Sequence, residues 1–144
     1  MTDKLVLKVK KLNKDAKLPS YAHDGDAGLD LFAGEEVIVN PGEIARIRSG
    51  IAMEIPKGFV GFCWDKSGLS MKNGIKVLGG VMDSGFRGEI IMGVINLGKE
   101  KYVFEKGHKV MQMIIQKYEK VIVDEIQKLS DTHRGEKGFG SSGK

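Results

Sequence analysis

Residues 37–62 read VIVNPGEIARIRSGIAMEIPKGFVGF, and this stretch decides the fold class. Its β-branched and aromatic residues form short runs of strand length, without the 3.6-residue spacing of an amphipathic helix. Asn40-Pro41-Gly42 and Pro56-Lys57-Gly58 separate these runs. Proline fixes φ, while glycine and asparagine tolerate positive φ, so such triplets favour tight turns. The stretch therefore predicts consecutive strands joined by turns.

The same pattern continues on both sides of this stretch. Further strand-like runs are Leu5–Lys10, Ile90–Ile95 and Val121–Val123, with turn formers at Asn73-Gly74 and Lys106-Gly107. Many short strands with frequent turns predict an all-β sandwich or closed barrel. The one exception is a turn or two of helix beginning at Ser67, whose hydroxyl can cap the first amides.

Size and composition indicate one soluble globular domain. The chain has 144 residues, of which 29% are charged and 41% hydrophobic, so neither disorder nor a membrane protein is expected. Its only cysteine, Cys63, cannot form an intrachain disulfide, and the first residues lack a secretory pattern, which favours the cytoplasm. The net charge of +4 is modest, and no Lys/Arg-rich stripe interleaved with aromatics indicates a nucleic-acid partner.

The C-terminal end changes composition abruptly at residue 133. By default such a Gly/Ser-rich end is a disordered tail. However, Phe139 between glycines can stack on a base, Ser141 and Ser142 can bind phosphate, and Arg134 can hold phosphate oxygens through paired hydrogen bonds. We therefore divide the chain into a β-domain, 1–132, and a flexible arm, 133–144.

A second candidate site surrounds Asp83. Gly79 to Ile90 read as a strand, a tight turn and a strand, with Asp83 at the edge of the turn. A carboxylate there can act as a general base toward an attacking water. The alternative is an aspartate that stabilises its own turn, and the local residues alone favour it. Phe86 is equally compatible with a hairpin core residue.

Five segments, in order along nearly the whole chain, resemble the five motifs of the homotrimeric dUTPase family. They are Ala27–Ala33, Lys66–Ser70, Gly80–Gly88, Gly107–Ile114 and Arg134–Gly143. The resemblance implies a distorted jelly-roll or β-barrel subunit that trimerises, with active sites shared between chains. It also implies Mg²⁺-dependent hydrolysis of dUTP to dUMP and pyrophosphate, which limits uracil incorporation into DNA and supplies dUMP for thymidylate synthesis.

The resemblance also implies a role for individual residues. Asp83 would activate water for attack at the α-phosphate, and Asp30 would help to hold the metal through water, with the phosphates as its main ligands. Phe86 would pack on deoxyribose. The segment Gly80, Val81, Met82 and the returning Ile91 would read uracil through backbone groups. The phosphates would meet Lys66, Ser67, Gly68 and Gln112, and a neighbour's arm would close with Arg134, Phe139, Gly140, Ser141 and Ser142.

Four positions depart from the family pattern. Asp65-Lys66 stand where Pro-Arg is usual, Phe86 where tyrosine is usual, Lys109 in place of arginine and Lys137 in place of glycine. Lysine cannot reproduce the bidentate grip of a guanidinium, so we expect weaker phosphate binding with activity retained.

Two alternatives stay open at this point. The dCTP deaminases have a similar pattern to Asp83–Gly88, but they use a glutamate on the returning strand, and Gly93 stands at that position. Since glycine cannot transfer protons, deamination is disfavoured. The other alternative is a non-catalytic nucleotide-binding relative, against which the intact Asp83 and arm both argue.

Overall fold

The computed structural model describes residues 4–143, so the first three residues of the predicted β-domain and the last residue of the predicted arm lie outside the described residues. The chain forms strands and one helix in this order: β1 (Lys8–Lys11), β2 (Leu29–Phe32), β3 (Val37–Val39), β4 (Ile44–Glu54), β5 (Phe59–Trp64), α1 (Ser67–Asn73), β6 (Ile75–Leu78), β7 (Val81–Met82), β8 (Glu89–Asn96), β9 (Tyr102–Phe104) and β10 (Lys109–Lys117).

The strands form two four-stranded sheets and a small third one. The first sheet has the order β1-β4-β8-β6, the second has the order β2-β10-β5-β7, and β3 pairs with β9. Every strand pair is antiparallel. This arrangement is a jelly-roll-type sandwich, so the all-β prediction is confirmed.

The core lies between the sheets and draws apolar side chains from both. Its fully buried members include Ile47, Met92 and Val94 from the first sheet, Leu31, Met111 and Met113 from the second, and Val39 and Phe104 from β3 and β9. Burial of apolar surface is the main favourable term in folding, so this layer fixes how the sheets face each other. The strand ends that carry the candidate residues are positioned by it.

Strand β4 fills the 11 residues Ile44–Glu54 between the two predicted turns. Its pairing with β8 shifts register between Arg48 and Ala52. Gly50 lies in that irregularity with φ 72, which a residue with a side chain rarely adopts. The chain therefore continues through this irregularity as one strand.

Helix α1 begins at Ser67 as predicted, but its predicted cap is wrong. The N-cap residue is Lys66, with φ −81 and ψ 120, and no side chain bonds to the first amides. Ser67 already lies inside the helix, so its hydroxyl is not placed to cap those amides. At the other end Gly74 adopts φ 72 and closes the helix by donating to the carbonyls of Leu69 and Ser70.

The predicted strand at Val121–Val123 is absent from the described residues. The three side chains are 75%, 95% and 90% exposed, and the last strand ends at Lys117. A strand needs a partner, and no other segment of residues 4–143 pairs with this run.

Within residues 4–143, no helix is long and apolar enough to cross a membrane.

Asn96 provides a stability test of this architecture. Its Nδ2 donates to the carbonyls of Val39 (2.9 Å) and Glu100 (2.8 Å), and its Oδ1 accepts from the Gly98 amide (2.8 Å). Asn96→Ala leaves these fully or partly buried groups unpaired, so we expect a loss of about 3 kcal/mol in urea unfolding. The exposed Asn40→Ala is the control, with an expected loss below about 1 kcal/mol.

Candidate active site

The loop around Asp83, residues 79–88, crosses from one sheet to the other. Strand β6 pairs with β8 as far as Leu78 opposite Gly93, and the chain then joins β5, with Met82 opposite Gly61. The predicted strand, turn and strand are present. However, the strands on either side of Asp83 belong to different sheets and are not a paired hairpin.

Strands β7 and β8 belong to different sheets, so their edges are not paired with each other, and we call the space between them the slot. Since β6 ends at Leu78, the part of β8 that precedes Gly93 has no strand partner on that side among the described residues. Backbone donors and acceptors of this edge are therefore free for a ligand. The predicted uracil-reading residues flank the slot: Gly80 and Val81 lie on one side and Ile91 on the other.

Gly80 makes the slot possible. It has φ 120, and a Cβ at this position would come within 2.9 Å of the Cys63 carbonyl oxygen. The Gly80 carbonyl accepts the Cys63 amide at 2.8 Å, which fixes the loop to β5. Only glycine combines this backbone angle with this close approach.

The Asp83 carboxylate faces solvent and has no hydrogen-bond partner within residues 4–143. The turn is closed instead by the main chain, because the Phe86 amide donates to the Asp83 carbonyl at 3.1 Å. The alternative in which the Asp83 side chain stabilises its own turn is therefore wrong. A free carboxylate beside an open slot is available to a water molecule.

Phe86 lies on the surface beside this carboxylate. Its side chain is 45% exposed, and its ring lies over Gly88, where a Cβ would come within 2.7 Å of the ring. The alternative of a core residue is therefore wrong. An exposed ring with a fixed support can pack against a sugar.

A second cleft lies at the other end of β5. It is lined by Gly28, Trp64, Lys66, Ser67 and Gln112, with a volume of about 440 Å³. The structure thus brings together Lys66, Ser67 and Gln112, three of the residues that the resemblance assigns to phosphate binding. Ser67 and Gly68 are exposed at the start of α1, and a Cβ on Gly68 would meet nothing within 4 Å.

Gln112 holds the segment before α1, and its predicted contact with phosphate stays a prediction. Its Nε2 donates to the Asp65 carbonyl at 2.8 Å, which ties β10 to the segment before α1. Gly28 is required for this bond, because any Cβ there would overlap the Gln112 side-chain amide. Sequence reasoning did not single out Gly28 for this purpose, although it lies in the first motif.

Asp30 is the centre of a buried ion-pair cluster. Lys66 Nζ lies 2.6 Å from Asp30 Oδ1, and Lys109 Nζ lies 2.9 Å from Oδ2. Burial by itself would raise the pKa of Asp30, but the hydrogen bonds and charges of Lys66 and Lys109 outweigh it and hold that pKa below its usual value. Asp30 is thus ionised at neutral pH and orients both lysines.

The ion pairs of Asp30 limit how this residue could bind the predicted Mg²⁺. Both Asp30 oxygens already carry an ammonium partner, and residues 4–143 contain no group of three or more His, Cys, Asp or Glu side chains that could hold a metal ion. The chain therefore fits a metal held mainly by substrate phosphates and not one held in a protein cage. Contact of Asp30 with the metal through water stays a prediction.

The arm residues do not reach either site of their own chain. Residues 119–143 are exposed throughout, and their hydrogen bonds join only residues of the same segment, such as Arg134 Nε to the Lys137 carbonyl at 2.8 Å. The Phe139 ring is fully exposed. The structure thus leaves the predicted contacts of Arg134, Phe139, Gly140, Ser141 and Ser142 as predictions.

The two clefts lie at opposite ends of β5. Asp83 follows Met82, which pairs with Gly61 near the start of β5, whereas Lys66 follows the end of that strand at Trp64. Gly61 and Lys66 are five residue steps apart, which corresponds to about 17 Å of extended chain. Within one chain, the exposed Asp83 carboxylate is therefore far from the cleft that contains Lys66 and Ser67.

Comparison with known proteins identifies the family of this chain. A sequence model of the family described as dUTPase matches residues 14–143. The chain belongs to the dUTPase family. The deoxyuridine 5'-triphosphate nucleotidohydrolase of Clostridium tetani is 49% identical over 140 residues, covering 96% of this chain and 97% of that protein. The enzyme of the same name from Alkaliphilus metalliredigens is 50% identical over 139 residues, covering 95% and 96%.

Solved dUTPase structures share the fold. The Staphylococcus bacteriophage 80alpha dUTPase with dUpNHpp matches with a TM-score of 0.90 and 30% identity, over 97% of this chain and 99% of that chain. The dUTPase of Staphylococcus aureus phage phi11, in which a structural Mg(II) ion is coordinated, matches with a TM-score of 0.80 and 25% identity, over 85% and 97%.

The returning strand β8 contains one carboxylate, and it is not available as a base. Gly93 lies opposite Leu78 where the deaminase reading requires a glutamate. Glu89, the carboxylate on β8, bonds to Arg48 at 2.6 Å and accepts the Gly50 amide at 2.9 Å. The Arg48 hydrogen bond holds the pKa of Glu89 below its usual value. A locked, ionised Glu89 argues against deamination.

The Asp30 cluster predicts a pH dependence of stability. Because its pKa is lower in the folded than in the unfolded chain, ionised Asp30 contributes stability above the usual value of 3.8, and this is lost as the pH falls through the folded pKa. Lys66→Met should lower stability by about 2 kcal/mol at pH 7 and weaken this acid dependence. Urea unfolding of both proteins across pH 2–7 measures both effects.

The matched control is Lys8→Met. Lys8 pairs with Glu54 at 3.1 Å, but its side chain is 71% exposed, and such pairs contribute little. We expect a change within about 0.5 kcal/mol. Equal stability of Lys66→Met and the wild type at every pH would contradict the role of the cluster.

Proposed function

We propose that this protein hydrolyses dUTP to dUMP and pyrophosphate, with Asp83 as the general base. The observation that carries the proposal is the free, exposed Asp83 carboxylate beside a slot of unpaired backbone groups. A carboxylate that stabilised the fold would have a partner, whereas a base must be free to bind water. Family membership and the names of the relatives support the same reaction.

The slot between β7 and β8 suits the uracil ring. Uracil presents alternating carbonyl acceptors and an N–H donor, which backbone groups of Gly80, Val81 and Ile91 can match. Met82 is half-buried and supports this side of the slot. The exposed Phe86 ring would pack on deoxyribose and disfavour a 2′-hydroxyl by contact.

The cleft at the end of β5 suits the triphosphate. Lys66 has three N–H groups, one of which is used by Asp30, so the others can bind phosphate oxygens. The exposed Ser67 hydroxyl and the open backbone at Gly68 add donors. Gln112 would act mainly by holding the Asp65 carbonyl, and through it Lys66. Bound Mg²⁺, held by the phosphates, would supply neutralisation of their charge.

Hydrolysis then requires one proton transfer and one displacement. Asp83 accepts a proton from water while the water oxygen forms a bond to the α-phosphorus. The bond from that phosphorus to the bridging oxygen breaks, and its electrons leave with pyrophosphate. Lys66 and Arg134 stabilise the charge that develops on the phosphate oxygens. No covalent enzyme intermediate is needed.

Purified protein incubated with Mg²⁺ and dUTP, dCTP, dTTP or UTP tests the reaction. We expect pyrophosphate from dUTP alone, because family membership implies a slot without space for a thymine methyl and the Phe86 ring would disfavour ribose. Asp83→Asn should keep its affinity for dUpNHpp but lose at least about 100-fold in kcat, since general-base catalysis contributes that much. Ammonia release from dCTP, or full activity of Asp83→Asn, would contradict the proposal.

We also propose a homotrimer with shared active sites. The base and the phosphate ligands must both lie within a few ångströms of the α-phosphorus. Within one chain, however, Asp83 follows the residue opposite Gly61, and Lys66 lies about 17 Å along the chain from Gly61. Asp83 of one subunit would therefore meet Lys66 of a second. The exposed arm, with Phe139 stacking on the base, would close from a neighbouring subunit and exclude water.

Exposed apolar surface supports an assembly. The run Val121–Val123 is uncovered, and a groove of about 550 Å³ lined by residues such as Leu5, Leu18 and Ile115 is open on the same chain. Contiguous apolar patches on a protein surface mark interfaces. We propose that a second copy of the chain covers both the run Val121–Val123 and this groove.

The cytoplasmic location also stays a prediction.

Mixed assemblies test the sharing of sites. A chain ending at residue 132 keeps Asp83 but lacks the arm, and full-length Asp83→Asn keeps the arm but lacks the base. We expect each to be nearly inactive alone and their co-expressed mixture to recover a measurable fraction of wild-type kcat. Light scattering should give a trimer mass. No recovery in an assembly shown to contain both chains would contradict shared sites.

A further inference from the structure

Asp65 forms an unusual set of contacts between β5 and α1. Its Oδ1 accepts a hydrogen bond from the Val77 amide at 2.6 Å, and its Oδ2 accepts one from Lys76 Nζ at 2.7 Å. Its carbonyl accepts Gln112 Nε2 at 2.8 Å. The side chain and the main chain of this residue are therefore both fixed, and the next residue is Lys66.

These contacts tie one residue to both sheets. Val77 lies on β6, the outer strand of the first sheet, whereas Gln112 lies on β10 in the second sheet. Strand β6 pairs with β8 on one side. The Val77 amide donates to the Asp65 side chain and not to a further strand. Asp65 thus acts as a latch between the sheets at the cleft.

We propose that Asp65 is a positioning residue for the phosphate-binding segment Lys66–Gly68. This inference rests on the proposed function. Lysine carries its charge on a flexible four-carbon chain, so the place of its ammonium group depends on where its backbone is held. Asp65 fixes that backbone from one side, and the ion pair with Asp30 fixes the ammonium from the other. Asp65 itself does not touch substrate.

A fixed backbone at Lys66–Gly68 matters because the position of the groups that bind phosphate affects the rate of hydrolysis. A displacement of about 1 Å in a positioning group can cost about 100-fold in turnover. Proline is usual at this position of the motif, and its ring restricts the backbone directly. Here two side-chain bonds and one main-chain bond perform the same restriction.

A purely structural role is the competing explanation, and Glu43 provides the matched control. Its Oε2 accepts the Asn40 amide and Asn40 Nδ2, both at 3.0 Å, in a turn outside both clefts. Glu43→Ala therefore removes a carboxylate that accepts a backbone amide without touching the phosphate-binding segment. Asp65→Asn is the conservative variant, because its amide oxygen can still accept the Val77 amide.

The test compares Asp65→Ala, Asp65→Asn and Glu43→Ala in steady-state hydrolysis of dUTP and in binding of dUpNHpp and of deoxyuridine. We expect Asp65→Ala to lose about 10- to 100-fold in kcat/KM and to weaken dUpNHpp binding, with deoxyuridine binding unchanged. Asp65→Asn should recover most of the loss. Glu43→Ala should match the wild type per folded molecule.

The outcomes separate this inference from the proposed function. A wild-type protein that does not hydrolyse dUTP overturns the proposed function. A wild type that hydrolyses dUTP, with Asp65→Ala equal to Glu43→Ala or equally impaired toward deoxyuridine, overturns the latch alone.

If Asp65→Ala does not fold, hydrogen exchange of the wild type replaces it. We expect dUpNHpp to slow exchange of the Val77 amide several-fold, because phosphates that order Lys66–Gly68 also hold the Asp65 side chain. Unchanged exchange at Val77 on saturation with dUpNHpp would overturn the inference.

Discussion

The crossing at Gly79-Gly80 is the constraint on which the site depends. Both glycines have positive φ, and Gly80 approaches the β5 backbone more closely than a Cβ allows. The chain can therefore leave β8 and join β5 within a few residues. This divergence uncovers the backbone edge of β8 and presents the Asp83 carboxylate to solvent. The proposed substrate selection by backbone groups and the free Asp83 carboxylate therefore have the same geometric cause.

The other cleft depends on charge. Asp30 lies in the core layer beside Leu31, and a buried carboxylate is costly unless it is paired. Lys66 and Lys109 provide that pairing, and Lys66 also lines the cleft. A group that stabilises the folded chain thus also supplies the positive charge that a polyphosphate needs. Lysine replaces the usual arginine at both positions, and both converge on one carboxylate.

The sequence predicted strands where local pattern decides them. Val37–Val39 forms β3 as expected, because its β-branched residues are bounded by a turn-forming triplet. Val121–Val123 has the same pattern and forms no strand, since a strand depends on a partner that local pattern does not specify. The pairing of β7 with β5 was missed for a similar reason. Register over long sequence separations is set by the core and not by neighbouring residues.

For the site, family resemblance identified the residues but not their contacts. The contact between Asp30 and Lys66 joins residues 36 positions apart, and that of Asp65 with Val77 depends on β6 passing beside the loop. Neither has a local signal in the sequence. The predicted cap at Ser67 was wrong because the helix begins one residue earlier than a capping hydroxyl requires.

The position of Trp64 has a practical consequence. It is the only tryptophan in the chain, it is 55% exposed, and it lines the cleft beside Lys66 and Ser67. All tryptophan fluorescence of the protein therefore comes from the lining of this cleft. A polyanion that displaces water there changes the polarity around the ring, so the intrinsic fluorescence spectrum is a label-free optical signal for occupancy of the cleft.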